Sequence, residues 1–106
     1  MVKHEGKAVP VKLSVDSGAT YTVLKREVWK ALGLKPLQEM EFILADGTAM
    51  RRRVSEALIE LRGYGERATP VVLRESEDEN LLGVVILEIF GLDLDPFRRE
   101  LRPARM

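Results

Sequence analysis

The residues that could do chemistry are few and well separated. Asp16-Ser17-Gly18 closes an alternating apolar stretch. A carboxylate in that position, followed by small residues, can act as a general base toward water if a second group supplies the proton. By itself, Asp-Ser-Gly is more often an Asx turn. Asp46-Gly47-Thr48 has similar letters in another order and reads as a turn. Arg51-Arg52-Arg53 reads as a solvated strand of a hairpin, because the chain carries balancing acids. The acidic stretch 75–80 lacks the glycine and spacing of a calcium loop, so it reads as a surface turn. Asp93-Leu94-Asp95 lies near the chain's end and lacks the following Thr or Val of a phosphatase Asp-x-Asp. His4 is alone near the N-terminus and reads as solvated. No cysteine is present, so thiolate metal sites and disulfides are excluded. Neither a metal nor a cofactor is expected.

Composition narrows the class. The 106 residues are 45% hydrophobic and 32% charged, which suits one soluble globular domain over 1–106 and argues against disorder. Seventeen basic and seventeen acidic residues cancel, so no long-range field draws the chain to nucleic acid or anionic lipid. Residues 1–6 hold no apolar leader core, and no stretch approaches the roughly 18 apolar residues of a membrane helix. A cytoplasmic protein without membrane or nucleic-acid partners is the expectation.

The elements that must position Asp16 follow from periodicity. Val9, Val11, Leu13 and Val15 alternate with Lys12, Ser14 and Asp16, which predicts one half-buried strand over 8–16. Gly18 breaks it, and the small neighbours Ser17 and Ala19 permit a tight loop. Leu24, Val28, Ala31 and Leu32 recur at helical spacing before Gly33 and Pro36, predicting a helix at about 23–32. Residues 41–44 and 50–54 read as a hairpin turning at Asp46-Gly47. Strands at 57–62 and 69–73, separated by Gly63-Tyr64-Gly65, suggest an antiparallel meander. Periodicity cannot assign the apolar run 81–87 by itself. A last strand pair is expected at 92–95 and 100–102.

Val-Asp-Ser-Gly-Ala-Thr at 15–20 resembles the signature of retroviral-like (retropepsin-type) aspartic proteases. The order of later parts strengthens the likeness: a hairpin, then Ala57-Leu58-Ile59-Glu60-Leu61, then Leu81-Leu82-Gly83, then a closing helix and strand at 87–94. The resemblance spans about 8–95. It implies a mainly β fold: one lobe of closed, barrel-like antiparallel sheet with a flap hairpin and one or two short helices, acting as a homodimer. It splits the run at 81–87, with Leu81 and Leu82 ending a strand, Gly83 turning, and a buried helix at 84–90 stopped by Gly91.

The resemblance further implies an endopeptidase that hydrolyses an extended peptide or protein substrate, with Asp16 as catalytic residue. Two carboxylates side by side share one proton, so one can activate water while the other protonates the departing amine. This chain has one Asp-Ser-Gly, so the pair requires two copies about a two-fold axis. Ser17, Gly18, Ala19 and Thr20 would shape the active-site loop, and Leu81, Leu82 and Gly83 the second turn. Ile43, Ala45, Asp46, Gly47 and Thr48 would form the flap and grip substrate, with Met40, Phe42, Ile43 and Leu82 as candidate pocket walls.

Three departures from retroviral members stand out. The flap tip is not Gly-rich, so Asp46 and Thr48 are candidate polar contacts. Val84 replaces a common Arg, and Thr20 replaces a common acid, two changes that together leave no unpaired buried charge. The segment before Asp16 is shorter, and 96–106 runs past the usual end, so strands near 97–102 are expected to build the dimer interface. The rival reading is a catalytically weak or inactive peptide-binding or dimerisation module with the same fold.

Overall fold

A computed structural model describes residues 1–16, 18–75, 79–95 and 97–104. Strands β1 (Val2–His4) and β2 (Lys7–Val9) form a hairpin across Glu5 and Gly6, both at positive φ. The single strand expected over 8–16 is divided here. Pro10 has no N–H to donate, so β2 stops at Val9 and a separate β3 (Leu13–Val15) follows. The alternation survives the break: Val9, Val11, Leu13 and Val15 all pack on the core.

The expected helix at 23–32 begins later. Thr22, Val23 and Leu24 form β4 (Thr22–Leu24), and α1 (Arg26–Ala31) starts after Lys25. Tertiary pairing overrides helical spacing here, because β4 is clasped on both sides, parallel to a later strand at 71–73 and antiparallel to Leu81. Leu24, Val28 and Leu32 are nevertheless buried, whereas Ala31 is exposed, so the spacing reported most of the burial but misplaced the start of the helix. The stop at Gly33 is as expected. Gly33 takes φ +70, its N–H bonds Lys30 O, and the Leu34 N–H bonds Trp29 O, which is a Schellman ending.

Strand β5 (Gln38–Ile43) turns into β6 (Ala49–Leu61), and β7 (Gly65–Leu73) returns along it. The strands expected at 50–54 and 57–62 are one continuous β6. Its first half pairs with β5 and its second half with β7, and Val54 pairs with both Gln38 and Val72. Burial changes at that point: residues 49–53 are exposed or half-buried, whereas Val54, Ser55, Ala57 and Ile59 are buried. One strand thus carries the projecting hairpin out of the core.

After 75–80, of which 76–78 lie outside the described residues, β8 (Asn80–Leu82) enters the core. Gly83 starts α2 (Val84–Phe90), and Gly91, at φ +69, ends it. Strands β9 (Leu92–Asp95) and β10 (Glu100–Pro103) pair as a separate two-stranded sheet. The main sheet runs β2-β1-β6-β7-β4-β8-β3 with β5 on β6, curled into a half-barrel. It is not antiparallel throughout. The pairs β3·β8 and β4·β7 are parallel, whereas β4 runs antiparallel to β8.

One buried cluster joins Val2, Leu24, Ile59, Leu73, Leu82 and Ile86 from six elements. No helix among the described residues is long and apolar enough to cross a membrane. The tightest point in the core is Gly83. A Cβ there would lie 2.3 Å from the Tyr21 carbonyl carbon and 2.7 Å from Thr22 N, both backbone atoms that no rotamer change can move. Gly83→Ala is therefore expected to destabilise the protein by about 3 kcal/mol, read from urea unfolding midpoints. A near-neutral result would mean that the two segments can separate without cost.

Candidate active site

Strand β3 delivers Asp16 to the end of the sheet, where its N–H bonds Leu82 O at 3.2 Å and continues the parallel register by one residue. The chain then folds back. The Gly18 N–H donates to Asp16 Oδ1 at 2.8 Å, and the Ala19 N–H donates to Asp16 O at 3.0 Å. The Asx-turn reading is thus met, and the turn's own amide holds a carboxylate that remains exposed. A Cβ at Gly18 would sit 3.2 Å from Asp16 Oδ1, so a side chain there would crowd that carboxylate. Ser17 lies outside the described residues.

The loop is interlocked with the chain around Gly83. Ala19 O accepts from Val84 N at 2.8 Å, Thr20 O accepts from Val85 N at 2.9 Å, and Thr22 Oγ1 accepts from Gly83 N at 3.2 Å. Helix α2 has no side-chain cap, so these loop acceptors satisfy its first free amides. Thr20 and Val84, the two positions that depart from the retroviral pattern, both take part through backbone groups, Thr20 with Val85 and Val84 with Ala19. Leu82 and Gly83 are buried and Leu81 is half-buried.

Above the loop lies a cleft of about 840 Å³. Gly18, Ala19, Thr20 and Tyr21 form one wall, and Phe42, Leu44 and Met50 of the β5–β6 hairpin form another. Of the candidate pocket residues, Phe42 lines this cleft, whereas Met40 and Ile43 do not, and Leu82 is 2% exposed in the core. Tyr21 and Phe42 meet edge to face at 5.8 Å, linking loop and hairpin. Leu44 and Met50 fall within the hairpin at 42–54 expected to cover the site, whereas sequence reasoning missed Tyr21, whose ring partner Phe42 lies far along the chain.

The hairpin tip is tied internally. Leu44 N bonds Thr48 O, Gly47 takes φ +85, and Asp46 Oδ1 accepts both the Thr48 hydroxyl at 2.6 Å and the Thr48 amide at 2.9 Å. The polar side chains at the tip thus engage each other, while Ala45 and Ile43 are exposed. At its base, Arg53 pairs with Glu75 and stacks 5.8 Å over the Trp29 ring, whose Nε1 donates to Arg74 O at 2.7 Å. Trp29 therefore packs the helix, as expected, and also holds the hairpin base.

The remaining motifs find structural roles. Asp95 Oδ1 accepts from Phe97 N and Arg98 N, closing the β9–β10 turn, of which Pro96 lies outside the described residues. Asp93 and Asp95 flank Arg102 at 4.0 and 3.6 Å. Among the described residues, no group of three acidic or histidine side chains is arranged to hold a metal.

A mainly β half-barrel whose Asp-bearing loop interlocks with a Leu-Leu-Gly turn is a single-lobe retropepsin-like fold. The chain belongs to the aspartyl protease family of retropepsin type: the family model described as aspartyl protease matches residues 1–86. Membership supports a peptidase. The match includes the first strands and ends inside α2, so the resemblance read at 87–95 lies beyond it. No curated protein matches the chain.

The Asp46 carboxyl is held below its ordinary value of 3.8, first by the Thr48 hydroxyl and then by the Thr48 amide. The tip binds the charged form, so its contribution is complete above the ordinary aspartate range and is lost as pH falls through the lowered value. Thr48→Val should move the Asp46 titration upward toward 3.8, read from its carboxyl carbon shift by NMR. An unmoved titration would rule out the hydroxyl as the main cause.

Proposed function

We propose that this protein is a homodimeric aspartic endopeptidase in which each copy contributes Asp16. The observation that carries the proposal is the exposed Asp16 carboxylate, oriented by the Gly18 amide beside a cleft roofed by a hairpin. Two such carboxylates in contact cannot both ionise cheaply, so the pair retains one proton. The ionised member takes a proton from water as it attacks the peptide carbonyl. The neutral member protonates the carbonyl oxygen, giving a diol. The carboxyl that took the water proton then gives it to the nitrogen as the C–N bond breaks, and the other carboxylate takes a diol proton, which restores the single shared proton.

The other candidate residues take supporting roles in this reading. Ser17, Gly18, Ala19 and Thr20 shape the loop, and Leu81, Leu82 and Gly83 hold it from behind. Residues 43–48 act as the flap, which closes over an extended peptide and excludes water. Ile43 and Leu44 are 68% and 40% exposed there, which suits a tip that meets a ligand or a second copy. The interface is assigned to the β9–β10 sheet. A two-stranded sheet is marginal by itself, and Phe97 stands 96% exposed at its turn.

Asp16→Asn should retain the fold and reduce cleavage of a diverse peptide pool by about 1,000-fold or more. Mass spectrometry of the digest, at mildly acid and neutral pH and with and without a statine-type inhibitor, checks this. Cleavage that survives the substitution would refute the assignment. Deleting 97–106 should convert dimer to monomer, as measured by light scattering, and abolish cleavage. A stable truncated dimer would remove these strands from the interface.

A further inference from the structure

The cleft walls carry four arginines, Arg51, Arg52, Arg53 and Arg74, but only two glutamates, Glu39 and Glu75. Four positive and two negative charges leave a net +2 in a chain whose formal charge is +0. The internal partners are unevenly distributed. Arg53 pairs with Glu75, Arg51 reaches Glu39 at 3.9 Å, and Arg74 donates to Glu79 O at 3.1 Å. Arg52 donates to the Arg51 carbonyl at 3.0 Å, and among the described residues no carboxylate lies within ion-pair distance of it.

Register explains where this side chain goes. Arg52 stands opposite Met40, and Met50 stands opposite Phe42, so all four share one face of the hairpin. That face meets Tyr21 through Phe42. Arg52 is exposed, and its planar fork of donors matches a carboxylate.

The geometry points to a cleft that selects peptides carrying an aspartate or glutamate next to apolar side chains, with Arg52 as the specificity-determining residue. The inference rests on the reading of this cleft as a peptide site and adds its substrate class. Phe42, Leu44 and Met50 supply apolar contacts beside the guanidinium, and hairpin closure would strengthen the ion pair by excluding water. Peptide is favoured over nucleic acid because the chain's formal net charge is +0 and Phe42, Leu44, Met50, Val72 and Leu73 give the cleft an apolar lining.

The test uses binding as well as cleavage. Immobilised full-length Asp16→Asn protein is offered a randomised decapeptide library, and retained peptides are read by mass spectrometry. Glu and Asp should be enriched about fivefold over Gln and Asn at one position, as for an exposed ion pair. The enrichment should vanish in Asp16→Asn/Arg52→Gln and shift to Lys and Arg in Asp16→Asn/Arg52→Glu. Arg62→Gln, which removes a charge in the turn just after β6, should leave it intact. Circular dichroism confirms that each variant is folded.

Enrichment that persists without Arg52, or no acidic preference among retained peptides, overturns the inference. Displacement of retained peptides by a single-stranded oligonucleotide more readily than by an acidic peptide also overturns it. Acid-selective retention with no cleavage by the Asp16 protein would sink the catalytic reading and uphold this one. Cleavage without acid selectivity would do the reverse.

Discussion

The interlock between residues 16–22 and residues 82–85 is the constraint on which the site depends. Two segments far apart in the chain pass so closely that Gly83 has no room for even a methyl group. Backbone groups from each satisfy the other: Asp16 N on Leu82 O, Val84 N on Ala19 O, and Val85 N on Thr20 O. Because buried backbone donors must be paired, the loop cannot open without stranding the first amides of α2. An exposed carboxylate is thus held on a rigid mount, which a loop with solvated backbone would not provide.

The hairpin is built to the opposite specification. Residues 49–53 of β6 have little buried surface, while the same strand beyond Val54 lies in the core. A single continuous strand therefore joins a stable region to a region held by few buried contacts, a combination that allows local motion. Its ties to the body are aromatic and ionic. Tyr21 touches Phe42 beside the loop, and Trp29, Arg53 and Glu75 hold the base. Both ties lie on the cleft, so what happens in the cleft bears directly on the hairpin's freedom.

Legibility in the sequence followed the range of the interactions. The turn at Asp46-Gly47, the helix stop at Gly33, and the alternation from Val9 to Val15 depend on neighbours a few residues away, and they appear where expected. The helix over 84–90 also appears, though periodicity alone left that run ambiguous and the family resemblance supplied the choice. Errors arose where a distant partner decided the outcome. Thr22, Val23 and Leu24 look helical until β7 and β8 are placed on either side. The break at Pro10 was open to reading from the missing N–H and was overlooked.

Residue type and spacing marked Asp16 as a carboxylate able to act as a general base and Gly18 as the break after its strand, while the resemblance to retroviral-like aspartic proteases supplied the expectation of a second carboxylate and of a turn at Gly83. Spacing could not reveal that Gly83 is pressed against Tyr21, that β6 is a single strand, or that the sheet includes parallel pairs. Nor could it separate Arg52 from its two neighbours in a run of identical letters. Pairing across β5 and β6 places Arg52 on the face that meets Tyr21, while Arg51 and Arg53 find carboxylates. The physical reason is that local chemistry sets backbone preference and turn position. The charge and packing partners of a side chain are set by strands brought together from distant parts of the chain.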